Sequence, residues 1–134
     1  MILVDTSVWI EWLRATGSTA DKAVQELRGE PQLLATTPPV RMEVLAGVSP
    51  RRVAMVSDVL DSAVPLAVES YTDFDTAAEL FRAARATGRT VRSLLDCVIA
   101  AVAIREQATL LHRDHDFVVL SEVAPGLVCH STVE

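Results

Sequence analysis

The sequence has 134 residues, 50% of them apolar, and a formal net charge of −6. This length is enough for one domain with a sizeable core, and no apolar run approaches the length that crosses a membrane. The negative charge argues against loose electrostatic binding to nucleic acid. It does not exclude an enzyme that recruits cations to its own carboxylates. Because the N-terminus has no basic leader or cleavable signal pattern, a cytoplasmic location is the default expectation.

The chain opens with a strand that is followed directly by a helix. The run Ile2-Leu3-Val4 is short and rich in branched residues, which predicts a buried strand. After Asp5, the hydroxyl residues Thr6 and Ser7 can cap a helix, and apolar residues between 8 and 13 recur at helical spacing. In an open parallel α/β sheet this corner lies at the carboxyl end of a strand, where such folds place their sites. Asp5 can therefore face a crevice, or it can merely cap the helix.

Further strands and helices alternate along the rest of the chain. Apolar runs predict strands at 33–36, 64–68, 109–112 and 127–129, with helices over 21–28, 38–47, 49–60, 74–88 and 92–107. Pro65 favours an edge position for the third strand. The alternation predicts one α/β domain over residues 1–134, with a mainly parallel, five-stranded central sheet flanked by helices.

Two acids interrupt apolar helical faces. Asp96 is the only charge between Arg92 and Arg105 in the last predicted helix. A buried carboxylate is costly unless it is paired or bound to metal, and Arg92, four residues earlier, is the simplest partner. Glu43 lies on the apolar side of its short helix, where it can also be a surface residue whose stem covers its neighbours.

Asp114 and Asp116 follow the fourth predicted strand, as Asp5 follows the first. Alone, such acids can be turn residues or caps. If the acids converge, each pair at ~4 Å repels by roughly 4 kcal/mol at an effective dielectric of ~20, so a divalent cation is the natural remedy. An all-oxygen set suits Mg²⁺ or Mn²⁺ better than zinc, and the spacing of His112 and His115 lacks further zinc ligands.

Four short motifs, taken in order, resemble a known family. They are Ile2-Leu3-Val4-Asp5-Thr6-Ser7, Met42-Glu43-Val44-Leu45-Ala46-Gly47, Leu95-Asp96-Cys97-Val98-Ile99-Ala100-Ala101 and Leu110-Leu111-His112-Arg113-Asp114-His115-Asp116-Phe117. The ordered set resembles PIN-domain ribonucleases and is most similar to the VapC toxins of prokaryotic toxin–antitoxin pairs. The resemblance covers essentially the whole chain. Each motif alone is short and unspecific, whereas the ordered set at this chain length is strong evidence for the resemblance.

The resemblance implies a parallel sheet in the order three-two-one-four-five, with strands one and four side by side at the topological switch point. Asp5, Glu43, Asp96 and Asp114 match the family's catalytic and metal-binding acids. A more variable fifth acid and a small polar accessory position match Asp116 and Thr6. The implied activity is Mg²⁺-dependent cleavage of structured cellular RNA, either tRNA or rRNA, with Mn²⁺ able to substitute. The implied partners are a VapB-like antitoxin that inhibits the enzyme and a second copy of the chain.

Arginines and tryptophans supply the remaining candidates. Arginines that lead into the last predicted helix are typical of a solvated face, or they contact RNA phosphates; they are Arg82, Arg85, Arg89 and Arg92. Trp9 and Trp12 are candidates for an antitoxin groove, because Trp is enriched at interface anchor points. Of the two, we expect Trp9 to pack in the core and Trp12 to form the groove wall.

Other classes compete with this interpretation. A catalytically silent binding module of the same fold would use the acids as caps and surface charge. A Mg²⁺-dependent phosphate-handling domain would need residues that are absent here at the required positions. A receiver domain wants a lysine at a strand end, but Lys22, the only lysine, lies elsewhere. A dehalogenase-type phosphatase wants a second Asp where Ser7 stands.

Overall fold

Strands and helices alternate from end to end in the computed structural model, which describes residues 1–134. The elements are β1 (Ile2–Val4), α1 (Thr6–Leu13), α2 (Thr19–Leu27), β2 (Leu34–Thr36), α3 (Pro38–Gly47), α4 (Val53–Asp61), β3 (Val64–Pro65), α5 (Thr72–Ala86), α6 (Leu94–Glu106), β4 (Thr109–His112), α7 (His115–Val123) and β5 (Cys129–Ser131). A 3₁₀ turn at Pro50–Arg52 precedes α4. None of the helices combines the length and apolar character needed to cross a membrane.

The five strands form one sheet in the order β3-β2-β1-β4-β5, and every neighbouring pair is parallel. This confirms the predicted fold class and strand order. Leu3 in β1 is in register with Ala35 of β2 and with Leu110 of β4, so β1 is the central strand. The chain leaves β1 toward one side of the sheet and returns at β4 on the other. The carboxyl ends of β1 and β4 thus meet at the point where open α/β sheets bind ligands.

The helix α6 runs through the centre of the molecule. All its residues from Asp96 to Ala103 are buried, which explains why its sequence is apolar on every side. It packs mainly against α5 and also contacts α3, α7 and β4. Trp9, on α1, is the largest fully buried side chain. The same packing that fills the core therefore fixes the helices that carry Asp96 and the β1 corner.

Several element boundaries differ from the prediction, and three of these differences concern the last long helix and the edges of the sheet. The last long helix begins at Leu94, not at 92, because Ser93 is extended, with φ −126° and ψ 119°. The Asp116 side chain accepts the backbone N–H groups of Arg92 and Ser93 and so supports this conformation. The last strand lies at Cys129–Ser131, later than predicted, since Leu127 still belongs to a turn in which its N–H bonds Ala124. The third strand, which is an edge strand as expected, is only Val64–Pro65.

The helix α7 was absent from the prediction. It is short, and its first residues are the charged run that follows β4, which we interpreted only as a strand end. Its buried residues include Phe117 and Leu120, and they cover β4 and β5. The turn between β4 and α7 is consequently a strand-to-helix corner of the same kind as the corner after β1.

Candidate metal centre

Asp5 lies directly after β1 and is 3% exposed. Its Oδ2 accepts hydrogen bonds from the Ser7 backbone N–H at 3.0 Å and from the Ser7 hydroxyl at 2.6 Å. Its Oδ1 is buried and has no hydrogen-bond partner. Both interpretations of Asp5 therefore describe part of the side chain, because one oxygen caps α1 while the other is left free for a ligand.

Burial raises the pKa of Asp5 to about 6, although the two bonds from Ser7 favour the charged form. The nearby Glu43 carboxylate raises this pKa a little further. Desolvation is thus the dominant effect. The charged Asp5 carboxylate is destabilised unless a cation approaches it.

Ser7 is a further site residue, although its sequence pattern predicted only a helix cap. Besides bonding Asp5, its hydroxyl accepts the backbone N–H of Arg113 at 2.9 Å. It therefore ties the corner after β1 to the corner after β4. The signal available in the sequence was a hydroxyl residue two positions after a strand-end acid, which can fold back onto that acid.

Glu43 is half-buried on α3, and its Oε1 accepts a hydrogen bond from the Thr6 hydroxyl at 2.9 Å. The bond brings the predicted accessory residue Thr6 and the acid Glu43 together across 37 positions of sequence. Glu43 also lines a cavity of about 290 Å³ between α1 and α3. The carboxylate is accordingly oriented by α1 while remaining open to a ligand.

Three further acids meet at the β4 side of the site. Asp96, Asp114 and Asp116 each offer a carboxylate oxygen, and these oxygens lie within 4.8 Å of one another. Asp114 caps α7, since its Oδ1 accepts the Asp116 N–H at 2.9 Å. Asp116 in turn accepts the N–H groups of Arg92 and Ser93 at 3.1 and 3.2 Å. These hydrogen bonds fix the approach of α6, which carries Asp96, to the end of β4.

Burial raises the pKa of Asp96 to about 9, and hydrogen bonding to Asp116 and the charges of Asp5, Asp114 and Asp116 add to the effect. Because the Glu43 charge raises the pKa of Asp5 and the Asp5 charge raises the pKa of Asp96, the two groups of acids belong to one site. The crowding of carboxylates and the unpartnered Asp5 Oδ1 fit a divalent cation. The all-oxygen donor set suits Mg²⁺ or Mn²⁺.

His112, the last residue of β4, is completely buried. Burial lowers its pKa to about 4, so the ring is neutral near neutral pH. His112 Nδ1 accepts the backbone N–H of Asp114 at 3.2 Å. The ring thus touches the main chain of a site acid.

Of the four arginines that were candidates for RNA binding, only Arg92 approaches the acids. Its guanidinium lies 4.0 Å from Asp114 and 3.8 Å from Asp116, and its side chain is 76% exposed. The Arg92–Asp96 pair, the alternative explanation for Asp96, is not formed, because Arg92 precedes α6 and lies beside the β4–α7 turn. Arg89 instead pairs with Glu122 at 2.6 Å. Arg82 and Arg85 are exposed on α5.

The two tryptophans differ in exposure, in the direction that we expected. Trp9 is completely buried, so it packs in the core and cannot form the wall of a groove. Trp12 is half-buried, meets the Trp9 ring edge-on at 5.7 Å, and is covered by the Arg28 guanidinium at 5.0 Å. It does not line the cavity beside Glu43, whose α1 wall is formed by Ile10, Leu13 and Arg14.

The fold and the acidic site define a PIN domain. The pattern of the PIN domain family matches residues 2–123, and the chain belongs to this family. Within the family it is similar to VapC ribonuclease Mb1587 of Mycobacterium bovis and to ribonuclease VapC11 of Mycobacterium tuberculosis. With each it shares 44% identity over 125 residues, which are 92% of this chain and 93% of the relative.

Solved structures show the same fold at lower identity. VapBC of Salmonella typhimurium bound to DNA has a TM-score of 0.76 at 15% identity and covers 98% of this chain and 97% of its own. A toxin–antitoxin complex from Klebsiella pneumoniae has a TM-score of 0.71 at 21% identity, covering 96% of both chains. M. tuberculosis VapC20, described as a sarcin–ricin loop cleaving toxin, has a TM-score of 0.64 at 22% identity and covers 88% and 93%.

Proposed function

We propose that this protein is a metal-dependent endoribonuclease of the VapC type and the toxin of a toxin–antitoxin pair. The observation that carries the proposal is the meeting of acids from β1, α3, α6 and the β4–α7 turn at the switch point of the sheet. The curated relatives at 44% identity are ribonucleases by name, which supports the same reaction here. The proposal treats residues 1–134 as one PIN domain, because β5, beyond the matched residues, pairs with β4. It places the toxin in the cytoplasm with its RNA.

The metal ligands in this proposal are Asp5, Asp96, Asp114 and Glu43. A bound Mg²⁺ supplies charge that polarises the phosphodiester and lowers the pKa of a bound water. The chain's own contribution is to hold these carboxylates in place. Ser7 fixes one oxygen of Asp5, and Thr6 orients Glu43. Mn²⁺ serves equally, since both ions prefer oxygen ligands.

The substrate class is structured RNA, such as tRNA or rRNA. Support comes from the structural relative that cleaves the sarcin–ricin loop. Arg92 is the best candidate for a phosphate contact, because its guanidinium is exposed beside the acids. Arg82 and Arg85, free of carboxylate partners on α5, can extend the contact along the RNA backbone. Arg89 is a weaker candidate because Glu122 already binds it.

A VapB-like antitoxin is the proposed partner. The cavity between α1 and α3 is lined by apolar side chains from both helices and by the charged residues Glu43, Arg14 and Arg52. Such a groove fits the apolar face of an amphipathic helix, and a basic side chain on that helix could reach the acids and pair with them. This cavity takes the place of Trp12 as the proposed antitoxin groove, because Trp12 does not line it.

A second copy of the chain is the other proposed partner. Met42 and Phe74 are 58% and 57% exposed and line a shallow apolar depression of about 480 Å³ between α3 and α5. Exposed apolar patches of this kind mark interaction sites. The neighbouring Leu94 and Tyr71 are also exposed, at 59% and 82%. A homodimer would cover this apolar surface.

Cleavage of cellular RNA by the wild-type protein and an Asp96→Asn variant tests the proposal. Mg²⁺-dependent cleavage by the wild type, lost in EDTA and in Asp96→Asn, is expected, with Asp58→Asn, an exposed acid on α4, as the matched control. Sequencing the new RNA 5′ ends would identify the target. Full activity in Asp96→Asn would refute the assigned acids. Thermal melting separates a silent binding module, because a true site is stabilised by Mn²⁺ through mass action.

A further inference from the structure

His112 is held by its backbone, by its Nδ1 and by ring packing, whereas its Nε2 is buried without a hydrogen-bond partner. The His112 carbonyl accepts the Thr132 backbone N–H at 2.8 Å and the Thr132 hydroxyl at 2.9 Å, which anchors β4 to the end of β5. The imidazole is fully buried and packs against the Phe117 ring, with centroids 5.3 Å apart. Neither the backbone nor the ring of His112 therefore has freedom to move independently of the core.

The His112 ring provides a hydrogen-bond acceptor for a backbone N–H that has no partner in the sheet. Asp114 is extended, with φ −138° and ψ 129°, but it lies beyond the last paired residue of β4, His112. Its backbone N–H donates to His112 Nδ1 at 3.2 Å. Because Nδ1 accepts this bond, the neutral ring carries its proton on Nε2.

The bond from Asp114 to His112 is the first of a series that ends at Asp96. Asp114 Oδ1 binds the N–H of Asp116, and Asp116 Oδ2 binds the N–H groups of Arg92 and Ser93, just before α6. The oxygens of the three acids lie within 4.8 Å of one another. Metal ligands must be held to within about 0.5 Å of a productive geometry, so the residue that anchors the start of this series influences all three.

We propose that His112 is a positioning residue that holds the Asp114 main chain through Nδ1 and thereby sets the metal-binding geometry of Asp114 and, through the Asp116 bonds at the start of α6, of Asp96. The proposal rests on the proposed function, because it assumes that these acids bind a divalent cation. It assigns His112 no contact with the metal or the RNA. A ring that only fills space between β4 and α7 would contribute stability and nothing to metal affinity.

Two substitutions at His112 separate positioning from packing. His112→Leu removes the acceptor, whereas His112→Asn keeps a side-chain oxygen that can accept an N–H two residues on, as asparagine does in turns. Phe117→Leu is the matched control, since it loses the same ring contact but leaves Nδ1 bonded to Asp114. All three variants should melt at lower temperature in EDTA than the wild type.

Mn²⁺ affinity, measured by calorimetry on the metal-free full chain, gives the decisive comparison. We expect His112→Leu to weaken Mn²⁺ binding about tenfold or more, as loss of a group that supports a ligand does. His112→Asn and Phe117→Leu should stay within about threefold of the wild type, well inside that loss. Equal affinity in His112→Leu and wild type would overturn the role of His112 alone. No Mn²⁺ binding by the wild type would overturn the proposed function and this role with it.

A measurement on the unmodified chain covers the case in which His112→Leu does not fold. In ¹⁵N NMR at neutral pH, the His112 ring should show an unprotonated Nδ1 and a protonated Nε2. The Asp114 amide proton should exchange slowly, because its acceptor is buried. A proton on Nδ1, or fast exchange of the Asp114 amide, would overturn the proposal.

Discussion

Thr6 Oγ1 donates a hydrogen bond of 2.9 Å to Glu43 Oε1, and this bond joins the first turn of α1 to α3. Thr6 follows Asp5 in the sequence, but its hydroxyl binds Glu43, the acid on α3. Since Glu43 is half-buried and has no cationic partner, the Thr6 hydroxyl is its main orienting contact.

Thr6→Val should therefore impair Glu43 without removing any acid. The valine has nearly the same shape but no donor, so we expect the RNA cleavage rate to fall about tenfold, as for other groups that orient ligands. Thr6→Ser keeps the hydroxyl and should remain within about threefold of the wild type, a small effect on the same scale. Cleavage rates at saturating Mg²⁺ check this. Equal rates in Thr6→Val and Thr6→Ser would contradict it.

The metal-free protein should lose stability as the pH rises. The folded chain holds a proton on Asp96, whose pKa is raised to about 9, while the unfolded chain releases it near the ordinary Asp value. The free energy of unfolding then falls by up to about 1.4 kcal/mol per pH unit. Asp5, with a raised pKa of about 6, acts in the same direction at lower pH.

The clearest window lies between about pH 6.5 and 8, bounded by the ordinary pKa values of histidine and cysteine. Below it, the lowered pKa of His112 opposes Asp96, because folding then favours the neutral ring. Above it, the Cys97 thiol, whose pKa is raised to about 11, begins to contribute. Urea unfolding in EDTA should show a downward slope across this window that Asp96→Asn abolishes. Parallel slopes in the two proteins would refute the assignment to Asp96.

Asp116 supports the backbone before α6 as well as facing the other acids. Asp116→Ala leaves the N–H groups of Arg92 and Ser93 without acceptors, which costs about 1–3 kcal/mol for each one left buried. Asp116→Asn keeps an oxygen for both bonds, so it should be mild in stability and milder than Asp96→Asn in RNA cleavage. Melting temperatures and cleavage rates test this. Equal melting temperatures for Asp116→Ala and the wild type would argue against the structural role.

Local sequence patterns predicted what depends on local chemistry. The corner at Asp5 follows from a branched apolar run and helical spacing after it, and Asp96 stands out as the one charge between Arg92 and Arg105. The contacts of Asp116 could not be predicted in this way, because its partners lie 23 and 24 residues earlier in the chain. The alternative explanation, an Arg92–Asp96 pair, fails for the same reason. A pairing four residues apart assumes a helix, but Arg92 precedes α6 and Ser93 is extended.

The apolar depression between α3 and α5 should mediate self-association. A charge at Phe74, which is 57% exposed and lines the depression, would have to be desolvated in a dimer. We therefore expect Phe74→Asp to be a monomer by light scattering at concentrations where the wild type is a dimer. Met55→Asp, at an exposed apolar residue on α4 outside the depression, should remain a dimer. A wild type that is itself monomeric and fully active would rule out the dimer.

Gly47, the last residue of α3, offers the sharpest test of the antitoxin groove. It lines the cavity beside Glu43, and a Cβ added there meets no atom within 4 Å. Gly47→Leu would therefore fill the cavity without backbone strain, and leucine favours a helix over glycine by about 1 kcal/mol. We expect the VapB-like antitoxin to bind this variant at least about tenfold more weakly, a loss of about 1.4 kcal/mol, while RNA cleavage persists. The control Ala46→Leu, exposed and outside the cavity, should bind normally.

Because Trp12 packs on Trp9, Trp12→Ala should instead lower stability, and with it both antitoxin binding and RNA cleavage together. Unchanged antitoxin binding by Gly47→Leu, with selective loss in Trp12→Ala, would move the groove to the Trp12 side of α1.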